Sequence, residues 1–330
     1  MAKYIIKRIL LALLILFGVS VILYILIRLM PDTYIASQFR LTHPELPDDE
    51  FDALLKEQLR PYGLDDNSFG GILRGYFLWL GRFLVGDMGL SFKYGMPVED
   101  VIGLYMWTSF GISFVALLLE MAIAIPLGIK CAVNQYGKLD YVATVLCMVG
   151  IAFPSFFLGN LLIKWFAVDL GWFQTGGLET GGLVGTARFL DIIWHLILPM
   201  TVLVVLSIGG LMRYTRTNTL EVLNADYIRT ARAKGLSEGK VVYKHVFRNT
   251  MIPLVTQLSF TLPSLFGGAM ITEEIFGLPG IGQIAYHGLL EGDVFLAMGY
   301  NMFLAVLTVI GVLLADIMYA VVDPRVKLGG

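Results

Sequence analysis

Chemistry on a nucleotide would call for a glycine-rich loop closed by a lysine and a hydroxyl residue. The nearest approach is Gly235-Leu236-Ser237-Glu238-Gly239-Lys240-Val241, whose glycines stand one residue too close and whose Val241 replaces the hydroxyl that would reach Mg²⁺. Any ATP that drives this protein is therefore expected to be hydrolysed on another chain. No H-E-x-x-H or G-x-S-x-G pattern and no paired aspartates in apolar runs suggest a hydrolase. Cys131 and Cys147 form no C-x-x-C unit, and with four scattered histidines they supply neither a disulfide framework nor a zinc-ligand set. We expect no catalytic residue, no metal and no cofactor on this chain.

Charges inside apolar runs are the next candidates, because hydrocarbon penalises a charge by several kcal/mol unless it is paired or wet. Four qualify: Arg28, Glu120, Lys164 and Asp316. Arg28 and Lys164 stand near run ends, where long side chains snorkel to water. For Glu120 and Asp316 two roles are open, a structural partner on a neighbouring helix or subunit and an ion or substrate relay. Pro126, Pro154, Pro199 and Pro263 are expected to interrupt runs, and such breaks expose backbone that must face protein or a water-filled path. Phe153, Pro154, Ser155 and Phe156 combine a bend with a hydroxyl, which suits a translocation path. Plain packing accounts for them equally well, since Gly and Pro are common in membrane helices.

The segment from Asp226 to Asn249 carries the most information. Two short helices are expected, Asp226 capping the first, Gly235 ending it in a left-handed turn and Ser237 capping the second. Small Ala231, Ala233 and Gly235 would let another surface approach the backbone, beside Tyr227 and Leu236. Six Lys/Arg between Arg229 and Arg248, among them Arg232 and Lys234, frame the patch. It has the outline of a docking site, and a basic loop lying on anionic lipid is the alternative.

The elements that hold these groups belong in a membrane. Of 330 residues 57% are hydrophobic and 15% charged, with mean hydropathy +0.74, far from soluble averages. The net charge of −2 gives no basic character to suit nucleic acid. A helix needs about 20 apolar residues to cross the hydrocarbon, and charge-free runs of that size lie at 9–27, 101–119, 141–163, 192–212, 249–272 and 294–315. An all-α membrane protein with six transmembrane helices is predicted, the second continuing past Glu120 to residue 129. The first run is too long for a signal peptide and lacks an A-x-A site, so it is expected to be retained. Lys and Arg gather at the N-terminus, in 130–140, in 213–250 and at the C-terminus, whereas the short outer loops hold only Arg188, which predicts both termini in the cytoplasm.

The chain then divides into an N-terminal end with the first helix (1–30), an extracytoplasmic loop subdomain (31–100), a five-helix core (101–322) containing the loop 213–250, and a cytoplasmic tail (323–330). In the subdomain, Asp48, Asp49 and Glu50 precede Phe51, Leu54, Leu55 and Leu59 at helical spacing. Leu73, Tyr76, Phe77, Leu80 and Leu84 mark a second helix, expected to lie in the membrane interface. The subdomain reads equally as a structural cap and as a docking surface for another protein.

Against this background the segment Asp226-Tyr227-Ile228-Arg229-Thr230-Ala231-Arg232-Ala233-Lys234-Gly235-Leu236, with Arg248-Asn249 and Pro253, resembles the ATPase-coupling segment of ABC-importer permeases of the dipeptide/oligopeptide branch. The generic importer pattern opens Glu-Ala-Ala. Here Arg229-Thr230-Ala231 stands in its place, so only Ala231 and Gly235 match it. Further matches are Gly86-Asp87-Met88-Gly89-Leu90-Ser91 with Pro97-Val98, His195-Leu196-Ile197-Leu198-Pro199, Glu274-Ile275-Phe276-Gly277-Leu278-Pro279-Gly280-Ile281-Gly282 and Asp323-Pro324-Arg325. Their order covers residues 1–327, and the long loop after the first helix is similar to the B-type subunit.

The resemblance implies the type I importer permease fold in a prokaryotic plasma (inner) membrane, surrounded by lipid. It implies pairing with a homologous second permease, two cytoplasmic ABC ATPases that bind ATP and Mg²⁺, and an extracytoplasmic solute-binding protein. Peptide is the leading cargo; nickel chelate, glutathione and oligosaccharide are carried by other members. The rival from a different class is an ion-coupled secondary transporter acting alone through Glu120 or Asp316, and a non-transporting scaffold comes third.

Overall fold

The computed structural model describes residues 2–30, 36–37, 39–40, 44–66, 68–259 and 261–322. The expected tail 323–330, with Asp323-Pro324-Arg325, lies outside the described residues. The described residues form helices α1 (Ala2–Arg28), α2 (Asp48–Leu59), α3 (Phe69–Leu84), α4 (Val98–Val133), α5 (Lys138–Ala152) and α6 (Ser155–Leu162), the last prolonged by a π-helical stretch, Ile163–Asp169. Then come α7 (Gly185–Leu223), α8 (Asp226–Ala233), α9 (Phe247–Ser259), α10 (Leu262–Gly267), α11 (Met270–Ile275), α12 (Ile281–Leu290) and α13 (Val294–Val322).

Four stretches, Ile6–Arg28, Val98–Val133, Gly185–Leu223 and Val294–Leu314, are long and apolar enough to cross a membrane. The second runs unbroken past Glu120, as its sequence predicts. Helices α5 and α6 make a fifth stretch if taken together, but they meet at 99°. The cause is Pro154, which drives Phe153 out of the helical region to ψ 130° and, itself extended, holds the cap position before Ser155, where the next helix begins. Pro126 and Pro199 act otherwise: both sit inside unbroken helices, α4 and α7, and do not interrupt them. Neighbouring helices in a membrane re-satisfy the backbone groups a proline frees. The apolar run 249–272, expected as one helix, is divided among α9, α10 and α11, with Gly268 at φ +74° in the second break. Only glycine adopts that conformation without penalty.

Small residues bring the spans together. A Cβ at Gly128 of α4 would lie 2.7 Å from the Met212 carbonyl of α7. On α5, one at Gly150 would lie 2.8 Å from the Val205 carbonyl, and one at Gly209 of α7 would lie 2.9 Å from the Cys147 carbonyl. This is how membrane helices gain van der Waals contact without a hydrophobic drive between them.

Between α1 and α4, in the segment expected to be the outer one, α2 forms where the spacing places it, with Asp48, Asp49 and Glu50 in its first turn and Phe51 and Leu59 buried. Helix α3 forms too, but its buried stripe is Gly75, Tyr76 and Trp79, while Leu73, Phe77 and Leu84 face away. Gly75 decides this, because a Cβ there would stand 2.3 Å from the Gly63 carbonyl and 2.2 Å from the Tyr24 hydroxyl. Tyr76 meets Ser20 of α1 at 2.8 Å. Arg28 does not reach for open water; its guanidinium donates to the Tyr24 hydroxyl and the Gly63 carbonyl. Farther on, buried Asp293 accepts from the Ser91 hydroxyl (2.5 Å) and from the N–H groups of Lys93 and Leu296 (both 3.1 Å), fastening the outer segment to the start of α13.

Candidate functional site

Helix α7 has 39 residues, roughly 58 Å at helical rise. That overshoots a hydrocarbon core of about 30 Å, so its far end stands clear of the bilayer. There Val222 and Leu223 pack with buried Ile228, Ala231, Val241 and Val246 in a small core separate from the bundle's own. Spacing makes α8 two-faced: Ile228 and Ala231, three apart, turn inward, and Tyr227, Arg229, Thr230, Arg232 and Ala233 turn out. The helix stops at Gly235, φ +76°. Its N–H donates to the Arg232 carbonyl (2.9 Å) and that of Leu236 to the Ala231 carbonyl (3.4 Å), the double bond pattern of a Schellman turn.

Three expectations for this segment need correction. Asp226 is the first helical residue and not the cap; Ala225 holds the cap position, and Asp226 lies exposed, 3.6 Å from Arg229. Ser237 stands at the second cap position, but its side chain makes no capping bond. Ala231 is buried against the chain's own core, so it offers nothing to a partner. What remains at the surface is Asp226, Tyr227, Arg229, Arg232, Ala233, Lys234, Gly235 and Leu236, with open space around a Cβ built on Gly235. Arg232 ties the two short helices through Glu238 at 2.8 Å. Tyr243, not singled out in the sequence, is 78% exposed between Lys240 and Lys244. The sequence carries no signal for it, because its exposure follows from the π-helical stretch Val241–Val246, whose ends Val241 and Val246 are buried. The arrangement is an apolar and cationic surface on a stiff mount, suited to gripping a protein and carrying no reactive group.

The remaining candidates are scattered. Glu120 faces Ser207 of α7, whose hydroxyl donates to the Leu203 carbonyl at 2.9 Å. Asp316 of α13 lies 3.1 Å from Arg8 of α1, and Lys164 is 2.7 Å from Asp169. Phe153, Pro154, Ser155 and Phe156 occupy the bend, with Phe153 stacked on Phe157 at 5.8 Å and Phe156 exposed. A cavity of about 740 Å³ lies elsewhere, between Val115, Leu119 and Ile123 of α4 and a face of α7 from Phe189 to Val205. Among the described residues no group of three His, Cys, Asp or Glu could hold a metal ion.

One residue of evident weight escaped the sequence reading. Glu273 of α11 is fully buried. Its Oε1 accepts from the Ser109 hydroxyl (2.6 Å) and the Ala269 N–H (3.1 Å), and its Oε2 accepts from the Gln283 N–H (3.0 Å). The sequence signal was its place beside the Glu274 to Gly282 motif, one residue earlier than that motif was read.

In the segment between α1 and α4, Tyr62 donates to Asp87 at 2.8 Å, joined by Arg82 (2.6 Å) and the Gly89 N–H (3.1 Å). Burial alone would raise the Asp87 carboxyl, but these donors outweigh it and hold the group below the usual carboxylate range. Burial, and then the bond to Asp87, pushes Tyr62 up to about 12.

Among the described residues, an all-helical bundle with membrane-length helices, a sharply bent helix pair and an exposed basic segment after its longest helix is the architecture of a membrane permease subunit. The family model for the binding-protein-dependent transport system inner membrane component matches residues 124–328. The oligopeptide transport system permease protein AppB of Bacillus subtilis is 38% identical across 99% of this chain and 100% of its own length. OppB of Haemophilus influenzae, an oligopeptide transport system permease protein, is 32% identical over the same shares. Among solved structures, an inward-facing conformation of the MetNI methionine ABC transporter matches with a TM-score of 0.51 at 18% identity, covering 68% of this chain and 96% of that one, which is a likeness of fold. The chain belongs to the family of binding-protein-dependent transport system inner membrane components.

Proposed function

We propose that this chain is the B-type permease subunit of an ATP-driven importer of di- and oligopeptides, crossing the membrane six times with both termini in the cytoplasm. The carrying observation is the surface of Tyr227, Ala233, Lys234, Gly235 and Leu236 mounted on the overhanging end of α7, in a chain similar over its length to oligopeptide permeases. In this reading the run 249–272 is the broken fifth span. Two partner ATPases bind ATP and Mg²⁺ and grip the α8 surface, a second permease completes the path, and a solute-binding protein delivers cargo outside. ATP must bind the two states of the assembly unequally, since a ligand of equal affinity for both shifts nothing. Closure of the ATPases then pulls α8, and α7 carries the displacement into the bundle. In this reading Glu120, facing Ser207, and Asp316, beside Arg8, are structural groups and not an ion relay.

The test is mild-detergent purification from the native membrane with mass spectrometry of the companions. Two P-loop ATPases and a second permease are expected. Gly235→Asp should leave the complex in the membrane while separating ATP hydrolysis from peptide uptake. Purification alone in a transport-competent form would refute the importer reading.

A further inference from the structure

We infer that Glu273 is a positioning residue for transport, the pin that keeps the outer break of the fifth apolar run aligned with α4 and α12; this rests on the importer reading above. Three separate segments converge on its carboxylate. Ser109 brings α4, and its hydroxyl, while donating to Glu273, also accepts the Ile281 N–H at 2.8 Å. Ala269 brings the break itself, and Gln283 brings the first turn of α12. The backbone of Glu273 adds a fourth tie, accepting the Leu278 N–H at 2.8 Å and so closing the loop after α11. That loop in turn accepts the Gly177 N–H at the Phe276 carbonyl (2.8 Å), linking it to the outer turn before α7. From α13, the Tyr300 hydroxyl donates to the carbonyl of Gly267 at 2.7 Å on the other side of the break.

The surroundings are built to hold this one group. A Cβ on Gly280 would stand 2.4 Å from the Glu273 Cδ, one on Gly282 2.8 Å from Oε2, and one on Gly268 2.7 Å from Oε1. Three glycines thus leave the niche that the carboxylate fills. A buried charge is a poor way to gain stability, because a well-packed apolar group of the same volume commonly does as well or better. What the carboxylate supplies is direction: each oxygen fixes a donor from a different segment, and a fully satisfied buried network specifies one arrangement. The segments it fixes end the fifth run on the outer side, where an alternating-access protein must open and close. They therefore move as one body or break identifiable bonds.

The experiment uses the whole assembly, with ATPases, second permease and binding protein, reconstituted in proteoliposomes and assayed with radiolabelled trialanine. Glu273→Gln keeps the volume but turns an –NH₂ toward at least one N–H or O–H donor. We expect it to assemble with its ATPases and hydrolyse ATP, with maximal uptake reduced at least tenfold and the half-saturating peptide concentration within twofold of the parent. Gly280→Ala should lower uptake alone and lower it less in a Glu273→Ala background, where the niche is empty, a coupling that a double-mutant cycle reads directly. Uptake by Glu273→Gln within twofold of the parent overturns the proposal. If that variant fails to assemble, Ser109→Ala, which removes the bond to Glu273 and the one from the Ile281 N–H but leaves the two backbone donors on the carboxylate, decides: reduced uptake from an assembled complex supports the pin, and unchanged uptake or failure of both variants to assemble overturns it. Absence of uptake and of bound ATPases in the parent would defeat the importer reading, a separate result.

Discussion

Arg216 of α7 grips Asp140 of α5 through two bonds of 2.7 Å each, Nε to Oδ1 and Nη2 to Oδ2, and the Tyr136 N–H completes the carboxylate at 3.0 Å. The pair joins the turn after α4 to the helix that carries α8 and the surface proposed for coupling. A planar guanidinium matches a carboxylate in this bidentate form as lysine cannot. Removing one partner strands a buried charge, so Arg216→Ala should destabilise the detergent-solubilised protein by about 3 kcal/mol. Arg216→Lys should recover only part of the loss. Thermal unfolding of the three proteins side by side checks this, and equal midpoints would refute it.

Ile228 holds α8 to the end of α7 and is fully buried. Truncating such a side chain costs about 2–5 kcal/mol, more than a core of this size can spare. Ile228→Ala should therefore loosen α8 without unfolding the bundle. The expected readout is rapid proteolytic cleavage between 224 and 240 and loss of the ATPases from the purified complex, with the membrane level of the chain unchanged.

Tyr62 and Asp87 give the outer segment a stability window in pH. Asp87 is depressed, so its contribution is present above the ordinary carboxylate range and disappears as pH falls through its folded value. Tyr62 is raised from 10.0 to about 12, so its contribution is complete below 10.0 and disappears as pH climbs from there toward about 12. Protease resistance of residues 44–97, followed across pH in sealed vesicles, should fall at both limits. Asp87→Asn should flatten the acid limb and Tyr62→Phe the alkaline one.

Asp293 accepts the Leu296 N–H in the first turn of α13 and the Ser91 hydroxyl from the outer segment at once. Loss of such a cap costs about 1 kcal/mol, and the abandoned buried hydroxyl adds about 1 kcal/mol more. Asp293→Ala should lower the melting midpoint, and adding Ser91→Ala should cost little further, because the two share one interaction. Fully additive losses would contradict the linkage.

Periodicity disclosed α2 before any coordinates, since acids at the first turn and apolar residues three and four apart leave few alternatives. It could not disclose the breaks between 249 and 272, because an unbroken apolar run looks the same whether its backbone is straight or divided. Proline was a poor guide by itself: Pro154 bends the chain by 99°, whereas Pro126 and Pro199 ride inside continuous helices. The difference is set by neighbours that sequence does not reveal. The coupling segment was legible as a surface, but its inward face was misjudged at Ala231, whose burial depends on Val241 and Val246 folding back over it. Glu273 was invisible for a similar reason, its hydroxyl donor standing 164 residues away.

The overhang of α7 also sets a bearing. Between Thr219, which meets Thr250 of α9 at 3.4 Å, and Leu223, where the helix ends, the heading that α7 gives to α8 is set by the number of residues, each turning the rest of the helix by about 100°. One residue inserted there would swing Tyr227 a quarter-circle or more from its heading while leaving each contact inside the membrane untouched. Four would bring it almost back to the same compass point, about 6 Å farther out. The aim of the coupling surface is thus written as a count, and shortening or lengthening the helix by less than a turn would leave a well-folded protein pointing the wrong way.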